Sequence, residues 1–578
     1  MLQHAKGFFL FISARATIAC LSLLPASSNT CAAGPVDGEA VRIQESALRP
    51  PGEGELAPDT VSGFAGLPIH LTEEELTRLD EIGLYHTATP PPPVPIRQCA
   101  EWERVTGVLI RYDRGFGLPY ELIAELSEDM TVHVLVAEDQ ETNAYNAMQL
   151  NGVYMANVEF IIALTNSIWT RDYGPQFIFS DGSWGIVDHI YNRPRPDDDQ
   201  VNWVLGTEWA CSVYGTDLIQ TGGNYMNDGH GKGFSTELVW DENYELTHEQ
   251  IAQVMEDFLG IDEYVVVPDI AEDGIHHIDC WAKLLDEETI LVKEVEPDHP
   301  HYDALEANVA YLETLTSCYG RPYRIVRIFC GKIWKDDVAA YTNSIILNDK
   351  VLVPLFGISS DGDALATYAA AMPGYEILGY EDNWLADDAI HCRAMGIHNR
   401  FMLIVDTNPL QDFAYNDGDY RVSAFIDDRS ETGLEGDSLL VFWRPQGEPA
   451  FNAVQLSSTV YPDSFEAFIP QQEDLIDLEY YILAKDNSGR RETRPMTAPG
   501  ALYSFNTGET RLTDASTPPM KMMLAQNYPN PFNPATTIRF YLPAASHVSL
   551  RIYDVSGREV CRLLEEERAE GNHSVYWT

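Results

Sequence analysis

From Ile96 to about Asp406 the chain switches repeatedly between short β-rich apolar runs and segments of helical spacing, and this alternation constrains the fold more than any other feature. Val108 to Tyr112, Val132 to Val136, Val158 to Ala163, Ile290 to Val295 and Val351 to Leu355 read as strands, whereas Leu305, Val309 and Leu312 recur at helical spacing. Such a pattern implies βαβ units, hence an α/β architecture over 96–406 with its functional centre on loops at strand ends. After Asn408-Pro409 the rhythm changes to short strands with polar turns, as in Ser438 to Trp443, Tyr480 to Ala484 and the turn Asp486-Asn487-Ser488-Gly489. Residues 407–505 therefore read as a β-sandwich. A linker over 506–521 leads to a small β module over 522–578, whose strands are expected at Thr537 to Leu542 and Val548 to Asp554.

Length agrees with several domains, because 578 residues exceed what one core encloses. The 89 acidic and 37 basic residues leave a formal charge of -52, which argues against a nucleic-acid partner, since phosphate binding draws on clustered Lys and Arg. A cationic substrate fits that charge better than a nucleic acid, but a solvated surface keeping an exported protein soluble is the favoured explanation, so acidity alone identifies no substrate. Lys6 and Arg15, then apolar Ala16 to Ala26, then small residues through Cys31-Ala32-Ala33 have the layout of a secretory signal peptide, so 1–33 is expected to be removed on export. No later run has the length of a membrane-spanning helix, so no transmembrane segment is expected. Beyond residue 33 the cysteines are Cys99, Cys211, Cys280, Cys318, Cys330, Cys392 and Cys561, an odd and scattered set that is no disulfide framework and leaves at least one free thiol. Residues 34–95, rich in Pro, Gly and Glu and ending in Pro90 to Pro93, read as a linker or pro-segment. One helix is expected within it, begun by the capping box Thr72/Glu75 and carrying Leu76 and Leu79 on one face.

Three clusters carry chemistry. Asp172 lies in Trp169-Thr170-Arg171-Asp172-Tyr173-Gly174-Pro175, where a carboxylate before a turn is either a structural cap or a ligand for a cation rich in N–H donors. In His276-His277-Ile278-Asp279-Cys280, an extended backbone would put His277 and Asp279 on one face, an acid/base beside a carboxylate. A metal site there is disfavoured, because adjacent histidines on a strand point oppositely and no second spaced cluster completes the ligands. Cys392, in Asp387-Asp388-Ala389-Ile390-His391-Cys392-Arg393, is either buried filler or a nucleophile, and the odd thiol count with an upstream acid/base pair favours the second.

Four motifs occur in an order that resembles the agmatine deiminase and bacterial peptidylarginine deiminase family of guanidine-modifying enzymes. They are 169–175, Thr221-Gly222-Gly223-Asn224-Tyr225-Met226-Asn227-Asp228-Gly229, His277-Ile278-Asp279 and His391-Cys392. The resemblance covers about 96–406 and implies a pseudo-fivefold α/β propeller around a central pocket. It also implies hydrolysis of arginine to citrulline and ammonia with no cofactor and no metal, carried by Cys392, His277, Asp279, Asp172 and Asn343. Tyr191-Asn192-Arg193-Pro194-Arg195-Pro196 and Tyr341-Thr342-Asn343-Ser344 are similar to the peptidylarginine branch. That branch implies Trp169, Arg193 and Arg195 as substrate-binding residues, the two arginines holding the carboxylate of a C-terminal arginine in a peptide or protein; the alternative is that they pair with Asp197 to Asp199. Whether Gly274 preserves the pocket wall is left open by the sequence.

The stretch Gln526-Asn527-Tyr528-Pro529-Asn530-Pro531-Phe532-Asn533-Pro534, with Tyr553-Asp554-Val555-Ser556-Gly557, resembles the C-terminal sorting domain of proteins exported by the type IX secretion system. It implies that machinery as a partner, a secreted or surface-attached product, an Ig-like sandwich in the exported branch's domain order, and a chain continuing past Thr578. Competing readings are agmatine or free-arginine deimination, a cysteine protease, and a non-catalytic adhesion protein. The last requires that Cys392, His277 and Asp279 lie apart.

Overall fold

The structure is a computed structural model. It describes residues 67–270, 274–411, 419–472 and 476–507, together with the strands Phe8–Ala14, Thr17–Leu21, Met523–Leu524, Thr536–Leu542, Ser546–Asp554, Glu559–Arg568 and Gly571–Trp577. Two units separate, Ala40–Glu509 and the pair of segments Met1–Glu39 and Thr510–Thr578.

Within the larger unit one pattern recurs: an antiparallel pair, a helix, then a strand parallel to the second. Ala282–Asp286 and Thr289–Glu294 form a hairpin, helix Tyr302–Leu312 crosses, and Arg324–Phe329 pairs parallel to Thr289–Glu294. Ile345–Leu347, Lys350–Leu355, helix Asp361–Ala371 and Glu376–Glu381 repeat it. So do Met226–Asn227, Lys232–Thr236, helix His248–Leu259 and Glu263–Val267. A larger version runs Ile96–Gln98, Gln176–Ser180, Ser183–Tyr191, helix Val201–Glu208 and Ser212–Gln220. In the remaining sheet Val105–Tyr112, Thr131–Val136 and Val158–Ile162 are parallel, and the antiparallel partner of Val105–Tyr112 is Met395–His398 from the far end of the region.

Local chemistry explains these elements. Thr131–Val136 is apolar apart from Thr131 and His133, and its Val132, Val134, Leu135 and Val136 are fully buried, as a parallel strand covered on both faces requires. Helix His248–Leu259 starts at a Thr247/Gln250 capping box, ends at Gly260 in the left-handed conformation, and buries Ile251, Met255, Phe258 and Leu259 along one stripe. The expected strands and the helix at Leu305 to Leu312 are present to within three residues at their ends.

Four expectations need correction. The strand Leu403–Asp406 pairs with Tyr420–Asp428, so the sandwich begins before 407. Ser438 ends a 3-10 turn, and the strand there is Leu440–Pro445. The described part of 34–95 is no linker: Ile69, Leu71 and Ile82 are buried, and Thr89 exchanges bonds with Gly215. The capping box is made, with Thr72 N 2.9 Å from Glu75 Oε2 and Glu75 N 3.2 Å from Thr72 Oγ1, but two 3-10 turns follow it, Glu75–Thr77 and Leu79–Glu81, in place of an α-helix.

The two sheets of 403–506 share one core that includes Val405, Tyr420, Ile426, Val441, Trp443, Tyr480 and Phe505. Arg104 joins this layer to the α/β part through Glu492, at 2.7 and 3.1 Å. In the smaller unit Ile538, Phe540, Leu542, Val548, Leu550 and Ile552 form a core between two sheets, one of which pairs Phe8–Ala14 with Ser546–Asp554. The stretches Gln526 to Pro534 and Val555 to Gly557 lie outside the described residues. Among the described residues no helix is long and apolar enough to cross a membrane. The cysteines numbered 99, 211, 280, 318, 330, 392 and 561 are free. Phe505→Ala, which empties a fully buried ring position in the sandwich, is expected to lower unfolding free energy by about 3–5 kcal/mol in urea titrations.

Candidate active site

Four loops bring the sequence candidates together. The turn at 169–175 is closed by Asp172 N on Trp169 O at 2.9 Å and tied to the cysteine loop by Arg171 N on Cys392 O at 3.2 Å. The glycine loop lies directly against it. Gly222 N donates to Asp172 O and Gly223 N to the Asp172 carboxylate, at 2.9 and 3.2 Å. A Cβ at Gly222 would fall 2.0 Å from Arg171 O, and one at Gly223 would fall 2.5 Å from His277 Nδ1 and 2.7 Å from Asp172 Oδ1. Only glycine lets these loops approach so closely. The third loop is held by Asn224, whose side-chain oxygen accepts from Ile278 N and Thr236 N.

His277 and Asp279 do not lie on a strand as expected, because Ile278–Cys280 is a 3-10 turn. They converge on Asp172 by this bend, His277 Nδ1 lying 3.7 Å from Asp172 Oδ1. His276 points elsewhere, to Asp269 at 2.5 Å, and no group of His, Cys, Asp or Glu among the described residues is placed to hold a metal ion. Asn343 joins the remaining parts. Its Nδ2 donates to Asp279 Oδ2 at 3.1 Å and to Cys392 Sγ at 3.2 Å, while its Oδ1 accepts from Ala389 N and Cys392 N. Cys392 sits in the 3-10 turn His391–Arg393, with Sγ 3.9 Å from Asp279 Oδ2. That turn is anchored by Arg393, whose guanidinium is wholly buried, donates to Asp388 at 2.9 Å and lies over the rings of Trp169 and Trp384.

The sequence reading assigned no role to the layer beneath. His391 bridges two carboxylates, with Nδ1 2.7 Å from Asp279 Oδ2 and Nε2 2.7 Å from Glu101 Oε2. Lys283 also reaches Glu101 at 2.7 Å, and a cavity of about 70 Å³ opens between Glu101, Arg171, Asp279, Lys283 and His391. A lysine in a strand and a glutamate before a tryptophan carry no motif, so nothing short of tertiary structure would have found them. A Cβ at Gly274 would meet nothing within 4 Å.

Arg193 and Arg195 do not pair with Asp197 to Asp199. Asp198 accepts from Ser167 and Asn166, and Asp199 from Tyr191 N. Arg193 Nε donates to Ile69 O at 3.2 Å, Arg195 Nε to Glu75 Oε1 at 2.7 Å, and Trp169 Nε1 to Pro68 O at 3.3 Å.

The electrostatics of the site favour a cation. Burial, reinforced by Asp279, pushes Asp172 up to about 7 despite Arg193. Burial drives His277 down to about 3, so its ring is neutral at neutral pH, and both ring nitrogens are buried without a hydrogen bond. Burial and then the charges of Asp279, Asp388 and Asp172 hold the Cys392 thiol well above its usual range. Burial also raises Asp279, but the His391 hydrogen bond and the charges of His391, His277 and Lys283 outweigh it and leave the carboxyl low. A planar cation between Asp172 and Asp279 would favour both the second carboxylate and the thiolate.

Such a cation-seeking thiol, flanked by an imidazole and two carboxylates, is the equipment of enzymes that act on guanidine groups. Residues 118–397 match the family model of Porphyromonas-type peptidyl-arginine deiminase, and the relatives of this region are agmatine deiminases. The agmatine deiminase of Pseudomonas syringae pv. tomato is 24% identical over 266 residues, 39% of this chain and 72% of that one. That of Pseudomonas putida is 25% identical over 306 residues, 45% of this chain and 81% of its own. Among solved structures, the agmatine deiminase of Enterococcus faecalis matches at 22% identity and a TM-score of 0.47, over 53% of this chain and 96% of that chain. Hydrolytic deimination of a guanidine group is the activity this family supports.

Asp388→Ala leaves the Arg393 guanidinium buried without its carboxylate. The variant should lose about 3–5 kcal/mol of stability in chemical denaturation, with displacement of the Cys392 turn.

Proposed function

We propose that the chain hydrolyses the guanidinium of arginine, as the C-terminal residue of a peptide or protein, to citrulline and ammonia. The observation that carries this reading is the convergence of Cys392, His277, Asp172, Asp279 and Asn343 around one buried point. An adhesion protein gives no reason for that convergence.

In the proposed reaction Asp172 and Asp279 hold the guanidinium nitrogens and its positive charge makes ionisation of Cys392 favourable. The thiol proton passes to the neutral His277, and the thiolate bonds to the guanidinium carbon. His277 returns the proton to the departing nitrogen, the C–N bond breaks and ammonia leaves, with a cationic thiouronium bonded to Cys392. Water then attacks this carbon while His277 takes its proton; the C–S bond breaks, and citrulline and the thiol are released. Asn343 orients Sγ throughout. Trp169, Arg193 and Arg195 select the substrate, the two guanidinium groups meeting its α-carboxylate.

Agmatine remains the second reading, because Arg195 already has a carboxylate partner in Glu75 and agmatine carries none. We further propose that the five mixed sheets are blades of a propeller around this site and that the sandwich is Ig-like. The apolar N-terminus then acts as an export signal and the C-terminal module as the address read by the type IX machinery, so that the product is secreted or surface-attached.

Citrulline release would be compared for a peptide ending in arginine, the same peptide with its carboxylate amidated, and agmatine. The first should be preferred by at least tenfold, and Cys392→Ser should abolish release while leaving the thermal melt unchanged; turnover by Cys392→Ser would overturn the scheme. A separate consequence follows from Asp172. Its proton must leave before a cation binds, so kcat/KM should fall about tenfold per pH unit below about 7. A flat profile between pH 5 and 8 would contradict this assignment.

A further inference from the structure

We infer that residues 68–75 are an internal occupant of the substrate-carboxylate subsite, and that the full chain deiminates peptides ending in arginine efficiently only once this strap is displaced. The inference rests on the substrate-binding roles proposed for Trp169, Arg193 and Arg195, and adds a regulatory step to them.

Each of those three residues is engaged by the strap. Pro68 O accepts from Trp169 Nε1 at 3.3 Å and from Arg195 Nη2 at 2.6 Å, and Ile69 O accepts from Arg193 Nε at 3.2 Å. The Glu75 carboxylate receives Arg195 Nε at 2.7 Å and Nη2 at 3.3 Å, a two-point contact of the kind a peptide's terminal carboxylate would make. Glu75 is 2% exposed. The strap also closes the approach to the nucleophile. His70 Nε2 lies 2.9 Å from Asp387 Oδ2, five residues before Cys392, and the Ile69 side chain packs in the same buried cluster as Trp169, Tyr173 and Cys392. Cys392 itself is 0% exposed and His277 1%, so a substrate side chain has no way in without movement.

A segment that merely filled a core would bury apolar groups, as this one does with Ile69 and Leu71, and nothing more. This one presents a peptide carbonyl to each recognition group and a carboxylate to an arginine. The carboxylate is aimed by its own chain, since Thr72 N and Thr72 Oγ1 hold Glu75 Oε2 at 2.9 and 3.0 Å. A tethered occupant competes at an effective concentration on the order of millimolar. Dilute substrate therefore cannot displace it, whereas cleavage of the tether can. The chain between the strap and the first strand of the α/β part is open to such cleavage: Thr87, Ala88, Pro90, Pro91, Pro93 and Val94 are exposed. Removal of a covering segment by proteolysis is an established kind of switch.

The test uses the full chain with a site-specific protease sequence inserted after Ala88, alongside the uncut chain carrying Glu75→Gln. Two readouts are taken: citrulline release from a peptide ending in arginine and from its C-terminal amide, and the rate of Cys392 alkylation by iodoacetamide followed by mass spectrometry of its peptide. Cleavage is expected to raise kcat/KM for the free-carboxylate peptide and Cys392 alkylation each by at least tenfold, and to widen the preference for that peptide over the amide. Glu75→Gln should move both readouts the same way without cleavage, which keeps the test decisive if the cut protein unfolds. Equal rates and equal alkylation in all forms would overturn the strap and leave the proposed activity standing, as would a lowered melting temperature without a change in either rate. Loss of activity on cleavage with the fold retained would also overturn it, making the strap part of the working site. Faster alkylation of Cys392 with no citrulline from any form would uphold the strap and sink the proposed activity instead.

Discussion

Asp279 is the carboxylate on which the other parts of the site are aligned. It accepts from Asn343 and lies against His391, and Cys392 Sγ is 3.9 Å away, so two loops from distant stretches of sequence are registered against one side chain. An ionised carboxylate buried to that depth is costly unless its oxygens are satisfied. The lower layer of His391, Lys283 and Glu101 meets that need, and in doing so fixes the position of the turn that carries the thiol. Burial keeps the imidazole neutral against the pull of this anion, and burial with the same anion raises both the thiol and Asp172.

Much of the fold was legible because local signals agreed with tertiary ones. The run Val132 to Val136 and the stripe Leu305, Val309, Leu312 say strand and helix by apolar spacing, and packing reinforces both. What escaped is what depends on partners far away in sequence. Leu403–Asp406 is an apolar strand like its predecessors, and nothing local says that it pairs forward with Tyr420–Asp428 instead of backward. The recurrence of one pairing pattern in successive sheets is likewise hidden, since each copy uses different residues to build the same pairing.

The site divides along the same line. Asp172, His277, Asp279 and Cys392 stand in motifs whose neighbours, above all Gly222 and Gly223, are there to let backbones touch, and such sequences are recognisable. Glu75 was legible only in its local role, as half of a capping box. Its second oxygen partner is 120 residues away, and a glutamate with one evident hydrogen bond gives no hint of another. The expected extended backbone at His277 and Asp279 failed for a related reason: Asn224 fixes Ile278 N and Thr236 N from across the site, bending a segment whose own residues would accept a strand.

The return of Met395–His398 to pair with Val105–Tyr112 has a consequence for how the molecule comes into being. The turn His391–Arg393 that carries Cys392 lies immediately before that strand, so the thiol takes its place only when Met395–His398 docks beside Val105–Tyr112. Nearly three hundred residues of sequence separate the two partners, and closing so long a loop is a late event in folding. A nascent or partly folded chain thus carries the residues of the candidate site and none of their arrangement, which comes only with the docking of Met395–His398 beside Val105–Tyr112.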